Sequence, residues 1–274
     1  MIKLRPYQDD AVNNVRKSFI EGYDSPAIVL PTGAGKTVIF CHIANQTASR
    51  GKHALILVHR IELLRQTSAS LSRSGVNHGL INAKFTPDPS AIVQVASVQT
   101  LVNRLDRITP PDLIIIDECH HATAGSWAKV VEYFPNAKVL GVTATPVRGD
   151  GKGLNSIFDT LLIGPQIADL IEMGYLVKPR IFGPVNAIDF SSVKIHKNDY
   201  DRAETAEIMD KPKITGDAVD HYSRICPGVP AVVFCTSINH AEHVAEAFRQ
   251  AGYKSYSVDG TMDDETRKRI LDGL

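Results

Sequence analysis

Much that would classify a chain at a glance is missing from this one. It has only four cysteines in 274 residues, Cys41, Cys119, Cys226 and Cys235. Their spacing suits neither a disulfide framework nor a paired zinc motif. Cys41 and Cys235 sit in apolar runs, where cysteine behaves as a small buried hydrophobe. No apolar run approaches the about 20 residues that cross a bilayer, so no membrane partner is expected. An excess of one charge is absent too, because 30 basic residues face 30 acidic ones. With no global positive field, any nucleic-acid contact must come from a local face or from backbone amides. No cluster of aromatics offers a stacking platform for bases, which argues against sequence-specific recognition. Internal repeats, heptads and low-complexity tracts are also missing. Met1 to Pro6 leads straight into a polar, helix-like segment with no leader pattern. Together with the unpaired cysteines, this predicts a reducing, cytoplasmic setting.

What is present is an alternation. With 43% hydrophobic and 22% charged residues the composition is that of an ordinary folded protein, long enough for two domains. Short apolar runs at Ala27–Leu30, Ala54–Val58, Ile92–Ala96, Leu113–Asp117, Lys138–Thr143, Ala231–Cys235 and Ser255–Val258 read as strands. Most are too apolar to have a wet face, as expected where helices cover both sides of a parallel sheet. Helical patterns at Thr37–Ala48, Ile61–Arg73 and Ile238–Ala251 lie between them. The fold predicted is α/β, a doubly wound parallel sheet. After about residue 175 the pattern weakens and then restarts near Pro230. Three segments are expected: a first domain over 1–175, a connector over 176–215, and a second domain over 216–274.

Residues 27–38 read as strand, glycine-containing loop and helix start. In such a loop Thr32, Gly33, Ala34 and Gly35 can turn backbone N–H groups toward a phosphate, and the helix N-terminus adds about half a positive charge. Lys36 would reach the β- and γ-phosphates of ATP, and Thr37 would ligate Mg2+. Leu30 stands where the general GxxxxGK[ST] pattern has glycine; a GxGKT string outside such a context is just a tight turn. The apolar run Leu113–Ile116 delivers Asp117 and Glu118 to the edge where parallel sheets bind ligands. Asp117 would hold the metal and Glu118 would polarise the attacking water. Cys119, His120 and His121 follow at once, but three adjacent residues cannot converge on one ion without distortion. His120 is better placed as a hydrogen-bonding relay from the hydrolysis site.

Taken in order, PTGAGKT at 31–37, DECH at 117–120 and TAT at 143–145 resemble the superfamily-2 helicases of the DExH branch. Within it they are most similar to RadD-type helicase-like ATPases and restriction-enzyme motor subunits. The resemblance runs from residue 4 to the end of the sequence. It implies RecA-like domains, ATP and Mg2+ as cofactors, and nucleic acid, DNA first, as partner. Leu4-Arg5-Pro6-Tyr7-Gln8 is similar to the adenine-reading motif, placing Arg5, Tyr7 and Gln8 at the nucleotide. Segment 55–67, with His59, Arg60 and Arg65, and segment 96–101, with Ser97, Gln99 and Thr100, resemble the loops that hold the nucleic-acid backbone. The residue types agree: short polar groups and arginines at strand ends suit phosphate contacts without base readout. VTATP at 142–146 resembles the motif coupling hydrolysis to domain movement, through Thr143 and Thr145. Residues 233–237 resemble motif IV of a second RecA-like domain, which adds Thr236 and Ser237 to the nucleic-acid set.

The later family motifs, including the arginines that stabilise the transferring phosphoryl group, do not occur in these 274 residues. Such an arginine is worth about 10³–10⁵ in rate. An incomplete second domain is therefore expected, with weak or no ATPase from this chain alone and a protein partner supplying the missing function. A nucleotide-gated binding module without efficient hydrolysis is the alternative. An unrelated P-loop kinase or GTPase would leave DECH, TAT and Gln8 unexplained.

Overall fold

Strands apolar on both faces need cover on both faces, and the chain supplies it. The computed structural model describes residues 3–85, 88–121, 125–146, 154–155, 157–183, 189–196, 199–210 and 212–274. In chain order come α1 (Pro6–Ile20), β1 (Pro26–Val29), α2 (Lys36–Ala48), β2 (Ala54–Val58), α3 (Ile61–Arg73), β3 (His78–Ile81), β4 (Val93–Ser97) and α4 (Val98–Leu101). These are followed by β5 (Leu113–Asp117), α5 (Gly125–Tyr133), β6 (Lys138–Thr143), β7 (Thr160–Ile163) and α6 (Ile167–Glu172). The seven strands form one sheet in the order β3-β4-β2-β5-β6-β1-β7, and all its pairs are parallel.

Residue-by-residue alternation sorts the strands into two cores. Ile56, Val58, Leu113 and Ile115 point to one face, against Ile39, Phe40 and Leu64 of α2 and α3. Leu55, Leu57, Ile114 and Ile116 point to the other, against Trp127 and Val130 of α5 and Phe134 just after it. Each of these buried aliphatic side chains stabilises the sheet by about 1.5–3 kcal/mol. Truncating Ile115, which is fully buried, to alanine would cost about 2–5 kcal/mol. Because every strand runs the same way, all C-terminal ends share one edge of the sheet, and the loops there can meet.

Two strands of this sheet are not among those expected from the sequence. β3 and β7 are four residues each and lie at the two edges of the sheet. An edge strand has one neighbour and a wetter face, so its apolar signal is short. Leu161 and Ile163 of β7 are indeed exposed.

The chain divides into two compact units, Met1–Arg180 and Ile181–Leu274. The second contains a small antiparallel ladder of β8 (Ile195–His196) and β9 (Asp199–Tyr200), then α7 (Arg202–Met209), α8 (Pro212–Ile225), α9 (Ile238–Gln250) and α10 (Asp264–Asp272). Its core joins Val219 and Val244 to three rings: Tyr222 packs edge-on to Phe248 and Tyr253 at 5.3 and 4.9 Å between ring centroids. The strands expected at Ala231–Cys235 and Ser255–Val258 do not form. An apolar run becomes a strand only beside another strand, and among the described residues neither segment has one. Val232, Val233 and Phe234 are exposed instead. Among the described residues no helix is long and apolar enough to cross a membrane.

Candidate functional site

β1 ends at Val29 and hands over to the loop that leads into α2. Gly33 and Gly35 both have positive φ, +83° and +79°, a region that side chains rarely tolerate. Gly35 occupies the N-cap position of α2, so the unpaired N–H groups of the first helical turn follow it directly. Lys36 is the first helical residue. Its ammonium donates to the Leu30 and Pro31 carbonyls at 3.2 and 3.4 Å. Burial lowers its pKa, opposed by the charges of Glu118 and Asp117. Thr32 and Gly33 are exposed, Ala34 is buried, and Thr37 is half-buried.

The start of α1 folds onto this loop. The Tyr7 hydroxyl and the Gln8 side-chain amide both donate to the Ala34 carbonyl, at 2.8 and 3.0 Å. Gln8 also accepts from the Arg5 backbone N–H at 2.9 Å, and Arg5 donates to the Tyr7 hydroxyl at 3.2 Å. Gln8 is only 4% exposed. In this structure its amide therefore latches the loop, a role the sequence did not suggest.

Sheet register brings the remaining residues together. Thr143 pairs with Val29 of β1, and its carbonyl accepts from Leu30 N–H at 3.0 Å. One residue earlier, Val142 pairs with Asp117 of β5. The end of β6 thus lies between the glycine loop and the acidic pair. Asp117 is buried; desolvation, reinforced by the neighbouring Glu118 charge, pushes its pKa up to about 6. Glu118 has φ +52°, the one non-glycine with positive φ among the described residues. Left-handed backbone at such a residue costs about 1–2 kcal/mol, and strain of this kind gathers at functional sites.

A hydrogen-bonded chain connects the acidic pair to Thr145. His120 Nδ1 lies 2.9 Å from Thr143 Oγ1 and 3.4 Å from Glu118 Oε2. Thr143 Oγ1 donates to the Thr145 carbonyl and accepts from the Thr145 N–H, both at 3.0 Å. With the hydroxyl proton directed at the Thr145 carbonyl, Thr143 Oγ1 can bond His120 only as an acceptor, which requires the tautomer protonated on Nδ1. The side chain of His121 lies outside the described residues.

The candidate nucleic-acid residues fall into two sets. β2 and β4 are neighbours, with Val58 opposite Ser97, so His59, Arg60 and Ser97, Gln99, Thr100 issue from adjacent strand ends. Gln99 donates to the His59 carbonyl at 3.3 Å and accepts from Ser97 Oγ at 2.8 Å. Arg60, Arg65 and Gln99 are exposed. Thr236 and Ser237 belong to the second unit. There Ser237 caps α9 by accepting from the His240 N–H at 3.1 Å, and Thr236 Oγ1 lies 3.1 Å from His240 Nδ1. Their hydrogen bonds are accounted for within that unit. Two residues not expected from the sequence also pack at the site: Tyr175 lies against Tyr7 and Leu176 against Gly33. The Gly174 that follows α6 marks a helix end in the sequence, yet not what the next residues touch.

A parallel sheet wound on both faces, with these loops along one edge, is a RecA-like arrangement, and the protein is superfamily-2 helicase-like. Residues 1–148 match the family described as type III restriction enzyme, res subunit, and the chain belongs to that family. A 51.5 kDa protein of a Lactococcus phage (isolate 7-9) is 32% identical, covering 88% of this chain. A candidate mitochondrial ATP-dependent helicase, irc3, of Schizosaccharomyces pombe is 29% identical over 98% of it. The chain spans about half the length of these relatives, 51% and 47%. Among solved structures, an ATP-dependent type ISP restriction-modification enzyme, LlaBIII, bound to DNA aligns with a TM-score of 0.66 and 18% identity. That alignment covers 100% of this chain and 23% of the other, and shows the shared fold.

Proposed function

We propose that the first unit binds ATP with Mg2+ on the loop before α2, hydrolyses it at Asp117 and Glu118, and couples the two states to a nucleic acid. DNA is the polymer expected, in a cytoplasmic setting. One observation carries this reading: β6 lies between the glycine loop and the acidic pair in the sheet, with Thr143 hydrogen-bonded to the histidine that follows that pair.

Each residue then has a physical task. Lys36, partly desolvated and at a helix N-terminus, gains most from an anion such as a triphosphate. Asp117 and the Thr37 hydroxyl are hard oxygen donors that suit Mg2+, which takes few protein ligands and completes its shell with water and phosphate oxygens. When bound, the ion would offset charge on the phosphates. The raised pKa of Asp117 fits a carboxylate lacking a full partner. Glu118 orients water, and His120 passes its state to Thr143 and Thr145. The ends of β2 and β4 offer phosphate contacts through Arg60, Arg65, Ser97, Gln99 and Thr100.

Turnover by this chain alone is expected to be slow, since no GRxxR-like string occurs in its sequence. ATP binding and turnover, measured with and without DNA and RNA, test the proposal. Lys36→Ala should abolish binding, and Glu118→Gln should keep binding while removing turnover. Unchanged affinity in Lys36→Ala would refute the site. Binding that responds to nucleic acid without any turnover would favour the binding-module alternative.

A further inference from the structure

The short helix α6 closes with a glycine turn that fixes what comes after it. Gly174, at φ +76°, donates to the Ile171 carbonyl at 3.0 Å, and Tyr175 donates to that of Leu170 at 2.8 Å. This is the paired bonding of a Schellman cap. Leu176 N–H shares the Leu170 carbonyl at 3.0 Å, and Leu170 itself is fully buried. The backbone therefore aims two consecutive side chains with little freedom.

The two side chains reach different parts of the site, Tyr175 the start of α1 and Leu176 the glycine loop. The Tyr175 ring packs on Tyr7 with centroids 5.2 Å apart, and the Arg5 guanidinium carbon sits 4.8 Å from the centre of the same ring. Arg5 and Tyr7 belong to the chain of bonds that ends on the Ala34 carbonyl. Leu176 approaches Gly33 so closely that a Cβ there would lie 2.9 Å from Leu176 Cδ2. One dipeptide thus braces the base-side segment through its first residue and the phosphate-side glycine through its second.

We propose that Tyr175 and Leu176 are positioning residues for the nucleotide, Tyr175 holding Arg5, Tyr7 and Gln8 in place and Leu176 holding the turn at Gly33. The proposal rests on the reading of this loop as the ATP site. The two positions act on different parts of the ligand, so their loss should be separable. The full chain is titrated calorimetrically with ATP and with inorganic tripolyphosphate, alongside thermal unfolding. Lys36→Ala comes first: if it leaves ATP affinity intact, the ATP-site reading fails and this proposal falls with it.

If Lys36→Ala removes binding, the brace is judged separately. Tyr175→Ala should weaken ATP by about tenfold, the scale of a lost stacking and cation–π pair, with tripolyphosphate changed by less than about twofold. Tyr175→Phe keeps the ring and should restore ATP affinity. Leu176→Ala should weaken both ligands alike. An equal loss for both ligands in Tyr175→Ala, tracking a fall in unfolding temperature that Tyr175→Phe does not reverse, would make the residue merely structural and overturn the proposal. So would unchanged ATP affinity in Tyr175→Ala and Leu176→Ala.

Discussion

Gly35 offers the sharpest test of how the loop is held. Its φ of +79° would cost an alanine about 1–2 kcal/mol, since an L side chain clashes with its own carbonyl there. A Cβ at this position would also lie 2.5 Å from Gln8 Nε2. The Gln8 amide would have to swing away, giving up its bond to the Ala34 carbonyl, worth about 1 kcal/mol. Gly35→Ala should therefore destabilise the first unit by about 2–3 kcal/mol. The two contributions separate in a double-mutant cycle with Gln8→Ala. In that background the collision partner is gone, and Gly35→Ala should cost only the backbone part, leaving a coupling of about 1 kcal/mol. Urea denaturation of the four proteins, read as midpoint at constant slope, gives the number. If Gly35→Ala costs the same in both backgrounds, Gln8 is not packed against the loop as described. If it costs nothing in either, the left-handed backbone at residue 35 is wrong.

Asp117 should make cation binding sensitive to mild acid. Its pKa is pushed up to about 6, so the ionised form needed to hold Mg2+ is lost as pH falls through 6. Mg2+-dependent nucleotide affinity should drop between pH 7 and 5 in the native protein and show no such step in Asp117→Asn. The linkage runs the other way for stability: the folded state binds this proton more tightly than the unfolded one. Stability contributed at Asp117 therefore falls as pH rises from about 4 to 6, and Asp117→Asn should be more stable than wild type at pH 7, by on the order of 2–3 kcal/mol. A less stable variant at that pH would contradict the burial argument. Removing the Thr143 hydroxyl with Thr143→Val strands partners of His120 and Thr145 and should cost about 1–3 kcal/mol, with Thr143→Ser restoring it. Equal stability of the Val and Ser variants would dismiss that network. Burial pushes the thiols of Cys41 and Cys119 up to about 12, while Cys226 and Cys235 are half-buried. Burial also raises the pKa of Cys235, so iodoacetamide at pH 8 should label Cys226 first, Cys235 more slowly, and Cys41 and Cys119 only after denaturation; four fast sites would be inconsistent with the packed sheet.

Some of this was legible in the sequence because the physics is local. Leu113–Ile116 announces a strand covered on both faces, and Asp117 and Glu118 must then emerge at its C-terminal end. The glycines at 33 and 35 announce a turn that only they allow. What could not be read depends on distant partners. That Gln8 donates to Ala34, or that Tyr175 lies on Tyr7, follows from how α1 and the turn after α6 dock, not from any short pattern. β7 escaped notice because an edge strand keeps a wet face. The opposite error came at Ala231–Cys235, where an apolar run met the composition of a strand without the neighbour that makes one.

The order of strands has a consequence for the protein's birth. β1 is made early, yet both of its ladder partners come late: Ala27 faces Gly141 on one side and Leu161 on the other. While the ribosome is adding the residues between, this strand, which ends up between β6 and β7, has no neighbour, and the glycine loop after it has nothing firm to stand on. The other strands, β2 to β5, can pair among themselves in the meantime. Long-range parallel pairing of this kind is slow and leaves apolar edges open during synthesis. Nascent chains released before residue 163 should therefore be protease-sensitive around the loop, and a step to resistance should mark the moment β6 and β7 slot in on either side of β1.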